Sequence, residues 1–247
     1  MAKLYDNTTD YNGNFNFNGE DSRDFGLIIT EAPAFTRPTR KQTAFEVPGR
    51  NGVILFQQDA WNDTPRPYKV ALAVDHEIDM AAKVADVESW LNSADGYMRL
   101  EDNFEPDFFR LAYYSGGDEF SNNFMQYGEA TINFTCRPER FYKSGDLPAT
   151  LTNGTPIYNP TRFIAKPLIH IDGSGAVSVT LGAATMTATI TDYINIDTAR
   201  MDAYRLPAEN MNNKISGTFP TLAPGINAVT LSGSITDAYV IPRFYEI

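Results

Sequence analysis

Hydrophobic positions fall in short runs along most of this chain. Gly26-Leu27-Ile28-Ile29 and Gly52-Val53-Ile54-Leu55-Phe56 are brief apolar runs led by turn residues, a length that suits strands better than helices. Residues 68–74 alternate, with Val70, Leu72 and Val74 on one face. The rhythm changes over residues 79–91, where Met80, Val84, Val87 and Leu91 recur at helical spacing while Asp79, Lys83, Asp86 and Glu88 occupy other faces. That is the pattern of one amphipathic helix, and Asp95-Gly96 supplies the turn behind it. Residues 97–100 and 109–114 are candidate strands, and residues 128–136 alternate as a half-buried strand that stops at Pro138.

Beyond Arg140 the texture shifts. Residues 141–162 are rich in Gly, Pro, Asn, Thr and Ser and predict a linker holding one short strand. After it the pattern is purely β. Residues 167–173 form a strand closed by Gly173, Val177, Val179 and Leu181 share one face, and Thr185, Thr187, Thr189 and Thr191 stand opposite Ala184, Met186, Ala188 and Ile190. Gly182-Ala183 joins the last two as a tight hairpin. With residues 193–197, 226–231 and 238–244 the count reaches about seven strands, the number of a β-sandwich. The expected organisation is therefore a first domain over 1–140, a linker over 141–162 and a second domain over 163–247, in a mainly β chain with one helix.

Composition narrows the class of function. The 247 residues are 43% hydrophobic and 21% charged, enough apolar side chain for two cores. A net charge of -11 disfavours clamping phosphates with Lys and Arg, so specific nucleic-acid binding is not expected. Cys136 is the only cysteine, which rules out an intrachain disulfide and fits folding in a reducing cytoplasm. The opening residues have no apolar stretch of signal-peptide length, and no apolar run approaches a membrane span, so neither export nor membrane insertion is expected. The Asn-X-Ser/Thr triplets at Asn7, Asn133 and Asn153 have no meaning without a secretory route.

Candidate chemistry is sparse. His76 and His170 fall in different domains with no partner at metal-ligand spacing, and His170, between Ile169 and Ile171, is expected as a structural or solvent-facing imidazole. Cys136, close to Phe134 in a strand, is expected as a buried inert thiol. Glu101 with Asp102, Glu105 with Asp107 and Asp118 with Glu119 sit in loop-like segments, and a solvated acidic surface explains them better than acid-base chemistry or calcium. No catalytic, cofactor or metal residue is assigned. Sugar binding rests on aromatic side chains: Trp61 and Trp90 lie in the first half, Trp90 as core of the helix. Tyr193, Tyr204 and Tyr239, with Phe219 and Tyr245 beside them in the second half, are the candidate surface aromatics of the outer domain, although Tyr in a sandwich usually packs with its hydroxyl at the rim.

Three segments together resemble the distal tail (Dit) protein family of siphophages. Phe15-Asn16-Phe17-Asn18-Gly19 leading into Ser22-Arg23-Asp24-Phe25-Gly26-Leu27 is similar to that family's opening strand, turn and S-x-D-F-G-L phrase. Pro48-Gly49-Arg50-Asn51-Gly52 is similar to its hairpin glycines, with an apolar strand and Asp59 behind. Leu222-Ala223-Pro224-Gly225-Ile226-Asn227 is similar to the L-x-P-G-x-N lead into a late strand. Trp90-Leu91, Leu100-Glu101-Asp102 and Cys136-Arg137-Pro138 keep the same order, and the resemblance spans nearly the whole chain.

The resemblance implies a structural virion protein of the tail tip or baseplate, not an enzyme. Its first, β-sandwich-like domain would form a homohexameric ring around a channel for DNA. One face of the ring would meet the tail tube protein and the other the tail-associated hub protein. A galectin-like sandwich would point outward, toward receptor-binding proteins or host glycans. Phe17, Asn18 and Gly19, and Pro48, Gly49, Arg50, Asn51 and Gly52, are then the candidate ring-assembly turns. The protein would fold in the bacterial host cytoplasm and reside at the virion tail tip, as a short form without an inserted carbohydrate-binding module. Two rival readings stand beside this one: a carbohydrate-binding module for host-surface glycans, and a glycan-cleaving enzyme using Glu105 and Asp107.

Overall fold

The computed structural model describes residues 13–73, 80–117, 120, 127–206 and 209–247. Val74, His76, Asp79 and the pair Asp118 and Glu119 lie outside the described residues. The chain divides into two compact units, Met1–Arg140 with Ile247, and Phe141–Glu246. The mainly β reading with one helix holds.

The first unit contains strands β1 (Phe15–Phe17), β2 (Glu20–Asp21), β3 (Leu27–Glu31), β4 (Arg40–Glu46), β5 (Val53–Trp61) and β6 (Thr64–Ala73), helix α1 (Met80–Leu91), then β7 (Met98–Asp102), β8 (Phe108–Tyr114) and β9 (Tyr127–Tyr142), whose last two residues belong to the second unit. Its main sheet runs β2-β1-β7-β8-β9-β6-β3. Alternation decides what faces inward: Phe15 and Phe17 from β1, Tyr68, Val70 and Leu72 from β6, and Ile132, Phe134 and Cys136 from β9 are all buried. Helix α1 closes this core with Met80, Val87, Trp90 and Leu91, as its spacing predicts, while Val84 is only partly buried. Trp90 stacks on Phe25 at 4.2 Å and gives its indole N–H to the Phe17 carbonyl at 3.3 Å. Strand β9 continues past Pro138, where the sequence predicts its end. Its ladder with β6 stops at the pair Thr64 and Cys136, so the missing N–H of Pro138 costs that ladder nothing.

The second unit holds β10 (Ala149–Thr150), β11 (Ile157–Asn159), β12 (Leu168–Leu181), β13 (Ala184–Ile190), β14 (Tyr193–Asp197), β15 (Asp202–Tyr204), β16 (Ile215–Gly217), β17 (Gly225–Asn227), β18 (Val229–Ile241) and β19 (Tyr245–Glu246). Residues 141–162 fold here too: β10 pairs with β18, β11 pairs with β17, and Leu151 enters the core. The sheet is built on the long pair β12 and β18, with β14 and β15 continuing from the first half of β12 and β13 and β16 from the second. One extra residue in β18, Thr236, shifts the register between Asp172 and Gly173. The bulge reverses the inward-outward alternation, so that Leu231 and Ile235 before it and Ala238 and Val240 after it reach the same core.

Candidate functional site

Strands β4 and β5 form a hairpin that pairs with no other described strand. Its register sets Thr43 against Phe56, Ala44 against Leu55 and Phe45 against Ile54. Thr43, Phe45, Ile54 and Phe56 therefore share one face, where Phe45 and Phe56 meet edge to face at 5.4 Å, while Ala44, Val53 and Leu55 share the other. Phe45, Leu55 and Phe56 remain 53%, 51% and 58% exposed. A run that is apolar on both faces suits a strand covered on both sides, yet this hairpin stands out as an arm. At its base the Arg40 guanidinium lies over the Trp61 ring, 4.6 Å from the centroid.

The turn residues singled out by the sequence fall on two exposed turns and, for Phe17, in the core. Pro48, Gly49, Arg50, Asn51 and Gly52 form the exposed tip of the arm, with Gly49 and Gly52 at φ 79° and 80°, the backbone their turn demands. Asn18 and Gly19, at φ 54° and 90°, make the tight β1–β2 turn, and Gly19 is exposed. Phe17 departs from that group: at 1% exposure it is core, packed on Trp90 and Phe134, and offers a neighbour nothing.

At the root of the arm lies an ion network that sequence reasoning missed. Arg66 is buried and donates to Asp102 at 2.7 Å, and Tyr68 donates to the same carboxylate oxygen at 2.6 Å. The other Asp102 oxygen accepts the backbone amides of Phe104 and Glu105. Glu105 is also buried and meets Arg110 and Arg140 at 2.6 Å each and Arg66 at 3.2 Å. Burial pushes the Asp102 pKa up, but the Arg66 charge and the hydrogen bonds from Tyr68, Arg66 and the Glu105 amide outweigh it and hold the carboxyl below its usual value. Burial and the Asp102 charge push Tyr68 well above the ordinary phenol range. These acids are therefore not the solvated surface the sequence suggests. Glu105 faces three arginines with no carboxylate partner, and Asp107 is exposed. A cavity of about 40 Å³ opens beside the network, lined by Arg37, Arg66, Arg110, Arg137 and Arg140. Cys136 lines it as well, and burial pushes that thiol up to about 12, which keeps it protonated at neutral pH.

In the second unit the candidate aromatics fall on one sheet face. Tyr239, His170, Asn195 and Tyr204 stand side by side on β18, β12, β14 and β15. His170 is only partly buried, stacks on Tyr239 at 4.7 Å and 17°, and lies 5.4 Å from the Tyr193 ring. Its Nδ1 meets Asn195 Oδ1 at 2.8 Å and its Nε2 meets Asp172 Oδ2 at 3.2 Å. Tyr193 and Tyr239 thus each spend a ring face on the imidazole rather than presenting it outward.

The remaining motif residues are structural. Asp21 caps the 3₁₀ turn at Ser22–Phe25 by accepting the Arg23 amide, and the buried Ser22 hydroxyl accepts the Phe15 amide at 3.2 Å. Asn227 is buried; its carboxamide donates to the carbonyls of Ala223 at 2.8 Å and Gly225 at 3.0 Å and accepts the Ala223 amide at 2.9 Å, folding the L-x-P-G-x-N segment on itself. Among the described residues no group of three or more His, Cys, Asp and Glu side chains could hold a metal ion, and no helix is long and apolar enough to cross a membrane.

Residues 20–136 match the family model of the phage tail protein RIFT-related domain. Among solved structures the chain superposes on the Dit protein of phage SPP1, described as a paradigm of the hub adsorption apparatus in phages that infect Gram-positive hosts. The TM-score is 0.74 at 13% identity, covering 95% of this chain and 99% of that one. It also superposes on a chain of the phage P2 baseplate in its activated conformation with calcium, at TM-score 0.52 and 10% identity over 92% of this chain and 96% of that one. The strontium form of that baseplate gives TM-score 0.52 and 10% identity over 93% and 96%. No curated protein matches by sequence. At these identities the structural likeness is one of fold, and the family match is what ties the fold to phage tails. Residues 20–136 carry the phage tail protein RIFT-related domain, and 95% of the chain shares its fold with the Dit protein of phage SPP1.

Proposed function

We propose that this protein is the structural ring subunit at the tip of a siphophage tail. Six copies close through their first units around a channel, one side meeting the tail tube and the other the tail-associated hub. The second unit faces outward for receptor-binding proteins. The observation that carries the reading within this chain is the β4–β5 arm. An isolated two-stranded ribbon is marginal in water, and this one bears Phe45, Phe56, Val53 and Leu55 across both faces. Such a ribbon is explained by a neighbour that covers it. An arm that reaches a different surface on the next copy makes a heterologous contact, and rotation closes contacts of that kind into a ring. The acidic balance of the chain, -11, suits a bore that passes DNA without gripping it.

Electron microscopy of the purified protein tests this. Six-fold rings with a central hole are expected; a protein that stays monomeric at every concentration would overturn the ring. Glycan binding by the second unit is the weaker reading, because the Tyr239 ring stacks on His170 and the Tyr193 ring lies against the same imidazole, so each has one face engaged within the chain.

A further inference from the structure

We propose that the arginine-lined cavity at the root of the arm is a carboxylate receptor, filled in the assembly by an acidic side chain from a neighbouring copy of this chain; the choice of occupant rests on the ring reading. Five of the chain's 20 Lys and Arg residues line this one cavity. The acids inside are already spent. Asp102 gives one oxygen to Arg66 and Tyr68 and the other to two backbone amides. Glu105 gives one oxygen to Arg140 and the other to Arg110 and Arg66. Nothing remains for Arg37 and Arg137.

Those two guanidiniums are exposed at the opening, and neither makes an ion pair among the described residues. Arg37 makes no hydrogen bond there either, and Arg137 lies over the Tyr97 ring at 4.6 Å, which holds its plane while leaving its N–H groups to donate. One guanidinium held on a ring and a second beside it, against a cationic wall, match a planar anion that accepts hydrogen bonds from both. The volume, about 40 Å³, exceeds what one water needs and suits a single carboxylate, not a nucleotide.

Charge complementarity names the source. Outside this cavity acids outnumber bases by 30 to 15, one of the 31 Asp and Glu and five of the 20 Lys and Arg lining it, so another copy is a ready supply of carboxylates. The cavity walls include Phe35, Thr36 and Pro38, which lead into the arm, so an occupant here would sit beside the surface where the arm itself seeks a partner. A wrong neighbour without an acid at that point would leave Arg37 and Arg137 desolvated and unpaired, which gives the contact its register.

Two measurements on the full chain test the proposal. In the first, on protein diluted until sedimentation shows only the monomer, sodium acetate replaces sodium chloride at equal ionic strength. Acetate is expected to raise the melting temperature of the wild type and not of R37A/R137A, two exposed positions whose loss leaves the buried network intact. Equal melting in both salts for the wild type overturns the receptor. In the second, sedimentation compares the wild type with R37E/R137E and with R200E, an exposed change in the second unit. R37E/R137E is expected to weaken assembly by about tenfold or more, and R200E to leave it unchanged. Unaltered assembly of R37E/R137E overturns the occupant while the ring stands. A wild type that never assembles overturns the ring and the occupant together, and the acetate comparison still decides the receptor. Binding of a DNA oligonucleotide that R37E/R137E abolishes would overturn the choice of a protein carboxylate.

Discussion

Arg66 shows what one buried charge demands of its surroundings. Taking a guanidinium out of water is costly unless it is paired and hydrogen-bonded, and Asp102, Glu105 and Tyr68 together meet that demand. Asp102→Asn leaves Arg66 with one full counter-charge fewer and is expected to cost about 3 kcal/mol, read from urea unfolding at neutral pH. The pH dependence has a definite sign. The folded Asp102 and Asp197 carboxyls lie below their ordinary values. For Asp197, burial works the other way but is outweighed by the two Arg243 bonds at 2.7 Å and 3.0 Å and by the Arg200 and Ala199 amides. A depressed carboxyl contributes stability above its unfolded pKa, about 3.9, and loses it as pH falls through the folded value. The urea midpoint is therefore expected to hold from neutral pH to about 5 and to drop below about 4, with a shallower drop in Asp102→Asn; an equal drop in both would remove Asp102 as a cause. The network leaves one signal in the sequence. Arg66 shares the alternation of Tyr68, Val70 and Leu72, so a charged residue on an inward row announced a buried partner. Which acids would answer it, 36 residues away for Asp102, no local pattern could say. Asn227 is the opposite case: the L-x-P-G-x-N phrase was legible as a motif, and its meaning is the carboxamide that satisfies the turn. Asn227→Ala orphans the Ala223 amide and two carbonyls and is expected to lower stability by about 2 kcal/mol or more in thermal unfolding.

Elements whose periodicity had a single face were readable, and those with two were not. Helix α1 presents Met80, Val87, Trp90 and Leu91 at helical spacing to one core, and the sequence placed it within a residue. Strand β5 is legible as a short apolar run, Val53, Ile54, Leu55 and Phe56, but its position is not, and among the described strands it pairs with β4 alone. A pattern apolar on both faces calls for cover on both, and the proposed ring supplies it from a neighbouring copy. Phe45→Ser with Phe56→Ser separates these roles. Both side chains are exposed, so the isolated subunit's unfolding free energy is expected to change by less than about 0.5 kcal/mol, while sedimentation shows assembly lost. A large fall in stability with assembly intact would make the arm part of the subunit's own fold. Trp90→Ala gives the contrast within the same unit, an expected loss of about 3 to 5 kcal/mol from the core.

Two hydrophobic clusters, one per unit, organise the whole molecule, and the buried residues of each come from that unit alone. The change of texture near Arg140 was visible in the sequence. What was hidden is that the Gly- and Pro-rich stretch after it folds at once, because its apolar contributions, Leu151 and Ile157, are single residues without periodicity that dock onto strands far along the chain. Separate cores imply separate unfolding, and the chain carries its own reporter of the difference. Both tryptophans, Trp61 and Trp90, belong to the first unit, so tryptophan fluorescence follows that unit, whereas far-ultraviolet circular dichroism follows strands of both. Ile171 sits fully buried between β12 and its neighbours in the second core, and Ile171→Ala is expected to cost about 2 to 5 kcal/mol there. In that variant the dichroism should gain an early transition at lower urea while the fluorescence midpoint stays where the wild type has it. A fluorescence midpoint that moves as far as the dichroism would mean that the two cores unfold as one cooperative body, and that the stability of one unit cannot be tuned apart from that of the other.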